Sequence, residues 1–163
     1  GNIYVPGFTL GGLDGNTSSG GKDIFLIKFN SSGTKIWTKQ LGTSKGEEGF
    51  DLTTDLLGNI YISGWTKGGL DGNTSSGGKD IFLVKYNSSG TKQWTKQLGT
   101  SANDYGDSVT TDSTGHIYMT GTTEGGLDGN ANSGGIRCNL RVSCKDIFLV
   151  KYNSSGIKQW TKQ

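Results

Sequence analysis

The chain of 163 residues carries 29 glycines, one proline and only 31% hydrophobic residues, and it has no apolar run near the roughly 18 residues that a membrane-spanning helix needs. The glycines lack the three-residue period of collagen, and four Trp, six Tyr and six Phe are too many aromatic residues for a disordered chain. A net charge of +2, spread along the sequence, argues against a nucleic-acid partner. The composition favours an all-β protein of short strands and many turns.

The predicted elements repeat along the chain with a period of 57 residues. The segment 11–26, GGLDGNTSSGGKDIFL, recurs unchanged at 68–83, and a third copy begins at Gly125. The stretch that follows, KYNSSGTKQWTKQ in the second copy, has close matches in the first and third. Such near-identity indicates that all copies fold in the same way.

Each repeat divides into four strand-like segments separated by turn signals. In the DIFLVKY segment, Phe82, Val84 and Tyr86 alternate with Ile81 and Leu83, which is typical of a strand packed on both faces. The Asn-Ser-Ser-Gly stretches predict tight hairpin turns, because Asn and Gly tolerate a left-handed backbone. In chain order, the four strands around the second copy are predicted at 58–66, 80–87, 91–99 and 107–112.

Four short antiparallel strands in a repeat of this length predict a blade of a β-propeller, with a solenoid as the alternative. The motifs GNIYISG, DIFLVKYN with its NSSG turn, and the Trp of KQWTKQLG resemble the bacterial β-propeller repeat called SBBP. The resemblance covers essentially the whole chain. It implies a propeller of secreted or surface-exposed bacterial proteins with binding or structural roles, and it implies no particular chemistry.

The resemblance also predicts how the chain is organised. In such a blade the TTD segment is the innermost strand, and it occurs only at 50–55 and 107–112. The three repeats therefore contain eleven strands, and the first blade lacks its inner strand. Three blades cannot close a ring, so we expect an excerpt of a larger propeller or, alternatively, an oligomeric one. The expected division is one repeat domain, 1–163, with blades at 1–49, 50–106 and 107–163.

Nine residues, 136–144, interrupt the third repeat and contain both cysteines and both arginines of the chain. Cys138 and Cys144 are spaced to form a disulfide that closes a small ring across a hairpin tip, which requires an oxidising compartment. Free thiols are the alternative. A metal site would lack further ligands. The insertion is a candidate recognition loop, and a tolerated surface insertion or an engineered graft is the alternative. Its candidate ligand-binding residues are Arg137, Asn139, Leu140, Arg141 and Val142.

The repeated LDGN loops offer oxygen ligands at alternate positions, which is how calcium sites are built. Candidate ligands are Asp14 and Asn16 in the first copy and Asp71 and Asn73 in the second. The spacing is one residue too long for a calcium loop and no Glu supplies a bidentate ligand, so Asp-Gly-Asn as a plain turn is the favoured alternative. No other cofactor is expected.

Catalysis finds little support in the sequence. The single histidine, His116, stands where Asn2 and Asn59 stand in the other repeats, which is typical of a turn residue. Carboxylates cluster before the inner strands, around Glu47 and Asp104, and we expect them to be solvated loop residues rather than an acid–base pair. The sequence therefore predicts that the protein is not an enzyme.

Long loops at 10–22, 67–79 and 123–145, and others at 42–49 and 99–106, are expected to open on one face of the blades, with only short turns on the other. Because binding residues concentrate on loops held by a rigid scaffold, we expect a non-catalytic binding or adhesion module. We expect it to be extracellular, either secreted or at the cell surface, and its partner to be a glycan or a surface protein. The alternative is a structural repeat unit of a surface filament or oligomeric assembly, in which blades or copies of the chain are partners.

Overall fold

The computed structural model describes residues 1–133 and 144–163, which form three antiparallel sheets. Eleven strands lie within these residues, and consecutive strands of the same sheet pair as antiparallel hairpins. They are β1 Ile3–Thr9, β2 Asp23–Phe29, β3 Lys35–Leu41, β4 Glu47–Thr54, β5 Ile60–Thr66, β6 Asp80–Tyr86, β7 Lys92–Leu98, β8 Asp104–Thr111, β9 Ile117–Thr123, β10 Asp146–Tyr152 and β11 Lys158–Lys162. Two 3-10 turns, Leu70–Gly72 and Leu127–Gly129, are the helical elements of this part of the chain.

Each sheet is a simple meander of consecutive strands. The first sheet contains β1–β3, the second contains β4–β7 and the third contains β8–β11. The expected all-β architecture, with four-stranded units and a first unit of three strands, is confirmed. β4 and β8, the first strands of the second and third sheets, begin at Glu47 and Asp104, three residues before the segments predicted as inner strands. The closure of the sheets into a ring, the oligomeric state and the blade boundaries at residues 50 and 107 stay predictions.

The core lies between successive sheets, because alternate residues of each DIFLVKY strand face opposite neighbours. Between the first and second sheets, Ile24 and Leu26 are buried in one cluster with Ile60, Ile62 and Phe82. Between the second and third sheets, the equivalent cluster contains the pairs Ile81–Leu83, Ile117–Met119 and Phe148–Val150. The second sheet is covered on both sides, so all of β5 is buried.

The NSSG turn of one sheet packs on the tryptophan of the preceding sheet. A Cβ placed on Gly90 would lie 3.0 Å from the Trp37 ring, and one on Gly156 would lie 3.0 Å from the Trp94 ring. A lysine of the preceding sheet crosses the same boundary, since Lys28 Nζ donates to the Ser88 carbonyl at 2.7 Å. These turns therefore join sheets as well as strands.

Gly90 is expected to be more sensitive to substitution than its counterpart Gly33. Both residues have a left-handed backbone, φ +80° and +78°, so alanine strains either one by about 1 kcal/mol. Only at Gly90 does the added methyl group also meet Trp37, which should cost about 1 kcal/mol more. Urea unfolding of Gly90→Ala and Gly33→Ala measures the difference, and equal losses would contradict the close packing on Trp37.

Candidate functional site

Two buried aspartates, Asp23 and Asp80, hold the long loops that precede the DIF strands of the first and second sheets. Asp80 is fully buried and its Oδ2 accepts hydrogen bonds from the Ser76 amide, at 2.7 Å, and from Gln97 Nε2, at 2.8 Å. Gln97 Oε1 in turn accepts from the amide of Leu70, which inserts into the core. Asp23 and Gln40 repeat this arrangement in the first sheet. These hydrogen bonds therefore hold each loop against the strand that carries the glutamine, β3 for Gln40 and β7 for Gln97.

A second set of buried carboxylates holds the loops that join the sheets. Glu47 accepts hydrogen bonds from the amide and hydroxyl of Thr43, both at 2.7 Å, and from Thr66 Oγ1 at 2.8 Å. Asp104 makes the same contacts with Thr100 and Thr123. The expectation of solvated loop carboxylates is wrong for Glu47 and Asp104, because the threonine hydroxyls and amides replace water and allow full burial.

Asp51 links the two complete sheets. Its Oδ2 accepts hydrogen bonds from Ser108 Oγ at 2.6 Å and from the Val109 amide at 2.9 Å, both on β8. His116 lies at a short turn on the other side of the molecule, where its Nδ1 is 2.7 Å from Thr114 Oγ1 and 3.1 Å from Asp112 Oδ2. These contacts give Asp51 and His116 structural roles in the sheet contact and the turn.

Lysines and aromatic rings alternate across the loop ends of the strands. Lys79 Nζ lies 3.9 Å from the ring centroid of Trp65 and 4.8 Å from that of Tyr105. Lys145, whose side chain is exposed, places its Nζ 4.4 Å from the same Tyr105 centroid. We call this set, which spans all three sheets, the lysine–aromatic row; its members are Phe8, Lys22, Glu48, Trp65, Lys79, Tyr105 and Lys145.

The first sheet supplies the other end of the row. Lys22 Nζ lies 4.3 Å from the centroid of the exposed Phe8 ring and 2.5 Å from Glu48 Oε1. Lys22, Lys79 and Lys145 occupy the same repeat position, immediately before the aspartate that begins each DIF strand. The loop anchors described above therefore present one lysine per sheet on the same side of the molecule.

The row has a positive field that is only partly neutralised. Burial lowers the pKa of Lys79, Glu48 opposes that shift, and Lys67, Lys145 and Lys22 lower the pKa further. Burial likewise raises the pKa of Tyr105, with smaller contributions from nearby carboxylates. An anion placed beside Lys79 would stabilise its charged form. The arrangement is thus suited to hold an anionic group between aromatic surfaces.

The candidate calcium ligands all contact other groups of the protein. Asp14 pairs with Lys35 Nζ at 2.5 Å and accepts from Thr38, and these contacts lower the pKa of its carboxyl. Asp71 pairs in the same way with Lys92 and Thr95. The Asn16 and Asn73 side-chain amides donate to the carbonyls of their own turns, at 2.7 and 2.8 Å. The alternative role of these residues in building turns accounts for the contacts, and calcium binding stays a prediction.

Most of the predicted recognition loop falls outside the described residues, including Arg137, Cys138, Asn139, Leu140, Arg141 and Val142. The Cys138–Cys144 disulfide therefore stays a prediction. Cys144 is the last residue of the insertion, lies within the described residues and directly precedes Lys145. The Asn132 side-chain amide donates a hydrogen bond to the Cys144 carbonyl at 3.5 Å. The insertion thus joins the body of the protein next to the lysine–aromatic row.

Sequence reasoning missed the lysine–aromatic row. The available signal was the recurrence of Lys22, Lys79 and Lys145 before DIF, but the residue types at the partner positions vary between repeats: Thr122 is aligned with Phe8 and Trp65, and Glu48 is aligned with Tyr105. It also missed a groove of about 530 Å³ on the short-turn side, between the second and third sheets and bordered by the exposed Leu56 and Leu57. The Asp55 and Asp112 carboxylates in that groove accept hydrogen bonds from their own turns.

Successive four-stranded meanders that pack face to face define a repeat protein built of propeller-type blades. Residues 36–71 and 93–128 each match the family SBBP, described as a beta-propeller repeat. Each match runs from an outer strand through the first two strands of the next sheet and ends in the following 3-10 turn. Two segments of the chain therefore match the SBBP repeat, which confirms the resemblance that the sequence motifs indicate.

Two curated proteins are similar to most of the chain. Regulatory protein FlaEY of Caulobacter vibrioides is 26% identical over 82% of the chain and 15% of its own length. An uncharacterized WD repeat-containing protein of Acanthamoeba polyphaga mimivirus is 24% identical over 85% of the chain and 12% of its own length. The chain thus spans less than a sixth of each relative. Within the described ranges, none of the helical segments is long and apolar enough to cross a membrane.

Proposed function

We propose that this chain is a non-catalytic binding module that holds an acidic polysaccharide on the loop side of its sheets. The observation that carries the proposal is the lysine–aromatic row, in which Lys79 lies between Trp65 and Tyr105 and Lys145 lies over the same Tyr105. Ligand sites typically combine apolar and aromatic surface with a few charged groups that orient the ligand. The repeat family and the names of both relatives are compatible with a binding role.

The regular spacing of the row favours a ligand that is itself repetitive. Lys22, Lys79 and Lys145 occupy equivalent positions on three successive sheets, so they present similar charges at similar intervals. A polysaccharide with a carboxylate on each sugar would contact several lysines at once, and each added contact raises the overall affinity without requiring a strong single site. A surface protein is the other partner class that the loop side would accommodate.

The proposal includes an extracellular setting and a role in adhesion. A disulfide between Cys138 and Cys144 would require an oxidising compartment, in keeping with secretion or display at the cell surface. We propose that residues 136–144 form a recognition loop whose contacts extend those of the row, since the insertion ends beside Lys145. The repeated sheets then serve as the rigid support for both.

Affinity electrophoresis in gels containing polygalacturonate, with neutral dextran as the reference polymer, tests the proposed function. Lys79→Ala and Tyr105→Ala should each weaken polygalacturonate binding by about tenfold, which corresponds to about 1.4 kcal/mol. Added salt should weaken binding by the wild-type chain as well, because the row is partly exposed. Dextran should retard none of the proteins.

Lys35→Ala is the matched control, because it removes the same charge from an outer strand, where Lys35 pairs with Asp14. It should leave retardation in polygalacturonate unchanged. An equal loss in Lys35→Ala and Lys79→Ala would mean that net charge alone attracts the polymer, and no retardation of the wild-type chain would remove the acidic polysaccharide as a ligand. Binding to an immobilised surface protein in place of the polymer would also contradict the proposal.

Deletion of residues 136–144 is expected to leave stability unchanged while weakening ligand binding. The first two repeats join Gly21 to Lys22 and Gly78 to Lys79 directly, so the shortened third repeat would have a loop length that the protein already uses. Thermal unfolding should agree with that of the parent chain within a few tenths of a kcal/mol. A large drop in unfolding temperature would instead assign the insertion a structural role.

A further inference from the structure

The groove on the short-turn side of the molecule is bordered by a pair of leucines that the repeat does not require. Leu56 and Leu57 lie at the tip of the turn between β4 and β5, and each is 85% exposed. The aligned residues of the third repeat are Ser113 and Thr114, which are also exposed. Because the same turn elsewhere in the chain uses hydroxyl side chains, two adjacent leucines left in water mark an interaction surface.

A second apolar departure from the repeat lies on the other sheet that borders the groove. Ile157, which is 60% exposed, ends the turn between β10 and β11, where the first two repeats have Thr34 and Thr91. Ser154 and Ser155 of the same turn line the groove. Aliphatic side chains therefore replace hydroxyl side chains in turns of both the second and the third sheet, at the junction where the groove lies.

The walls of the groove are held in place by hydrogen bonds within the turns. Asp55 Oδ1 accepts from the amides of Leu57 and Asn59, at 3.0 and 2.9 Å, and Asp112 Oδ1 accepts from the Thr114 amide at 2.9 Å. The volume of about 530 Å³ lies within the range of typical ligand pockets. A groove whose walls are already ordered loses little conformational freedom when a ligand fills it.

The groove carries a net negative charge. Burial raises the pKa of Asp55, but the hydrogen bonds that its carboxylate accepts bring the pKa below its ordinary value. Hydrogen bonds, that of the Thr114 hydroxyl foremost, lower the pKa of Asp112. Both carboxylates are therefore ionised at neutral pH. Among the described lining residues Lys85 is the one lysine or arginine, and its Nζ donates to the Ser154 carbonyl at 3.1 Å.

From this groove we infer that a short segment of a partner protein docks on the short-turn side, with a large apolar side chain against Leu56 and Leu57 and an arginine or lysine beside the carboxylates. Charge decides between the possible occupants. A second copy docked groove to groove would bring like carboxylates together, and an anionic lipid surface would be repelled by them. The inference is independent of the proposed polysaccharide site, which lies at the opposite ends of the strands.

Selection of random heptapeptides displayed on phage, with the immobilised chain as target, tests the inference. Leu56→Ser/Leu57→Thr is the counter-selection target, and it should fold because the third repeat already uses those residues in the same turn. Peptides that bind only the wild-type chain should carry Arg or Lys beside a large apolar residue. In fluorescence polarisation the double variant should bind them at least about tenfold more weakly. Citrulline in place of their basic residue should weaken binding to the wild type by about threefold.

Leu10→Ser is the matched control, because Leu10 is 76% exposed on the loop side, and it should bind the selected peptides like the wild type. A selection that yields no discriminating peptide, or only acidic or uncharged ones, would overturn the inference. So would adsorption of the wild-type chain to phosphatidylserine vesicles, or its dimerisation, if either were lost in Leu56→Ser/Leu57→Thr, since the leucines would then serve a lipid surface or a second copy.

Discussion

Phe82→Ala is expected to lower the free energy of unfolding by about 3–5 kcal/mol, the range typical of a large aromatic side chain removed from a core. Phe82 is fully buried between the first and second sheets, in contact with a cluster that includes Ile24, Leu26 and Ile62. The cavity left by the ring would face residues held by two sheets, which limits collapse around it. Urea unfolding followed by tryptophan fluorescence measures the loss.

The repeat supplies a matched control for this substitution. Phe25 occupies the same position in the first sheet, where none of the other described sheets covers it and the ring is only half-buried. Phe25→Ala should therefore cost markedly less, and both measurements belong at protein concentrations where the chain is monomeric. Equal losses at the two positions would contradict the view that packing between sheets, rather than packing within one sheet, stabilises the protein.

Asp80→Ala is expected to destabilise the protein by about 3 kcal/mol and to release the loop at 67–79. The substitution leaves the Ser76 amide and the Gln97 side-chain amide without their acceptor, and bonds to a charged group contribute about 1.5–3 kcal/mol each. Part of that gain is offset in the native protein, because Asp80 Oδ1 is buried without a hydrogen-bond partner. Hydrogen exchange at the Leu70 and Ser76 amides should accelerate.

Asp71→Ala provides the comparison within the same loop. The Asp71 carboxylate is exposed and pairs with Lys92 and Thr95, so its removal should cost no more than about 1 kcal/mol. Exchange at the Leu70 amide should be little changed in that variant. If Asp71→Ala released the loop as strongly as Asp80→Ala, the buried aspartate would not be its anchor.

The strands were predictable because their signals are local. Alternation in DIFLVKY and IYISGW and the turn residues of NSSG place β5, β6 and β7 within two residues of their observed ends. The starts of β4 and β8 were missed, because GEEGF and NDYGD show no apolar alternation. Their extension depends on Thr43 and Thr100, whose hydrogen bonds to Glu47 and Asp104 form only in the folded chain.

The candidate site was less predictable than the strands. Trp65 and Tyr105 lie on different sheets and meet only through Lys79, so their proximity depends on how two sheets pack. Phe8 and Trp65 occupy aligned positions, but the third repeat has Thr122 there, and Glu48 is aligned with Tyr105, so no aromatic pattern runs through all repeats. Composition and period describe what the repeats share, whereas the partners of the repeated lysines vary in residue type from one repeat to the next.

The contact of each NSSG turn with the tryptophan of the preceding sheet has a consequence for how such a chain can change in length. Every repeat encodes one half of the contact in its Trp and the other half in its turn, so a repeat gained or lost as a whole leaves all remaining contacts matched. Unequal recombination between the nearly identical coding segments would therefore yield proteins that still fold. Genes of this kind should vary between strains in whole multiples of one repeat.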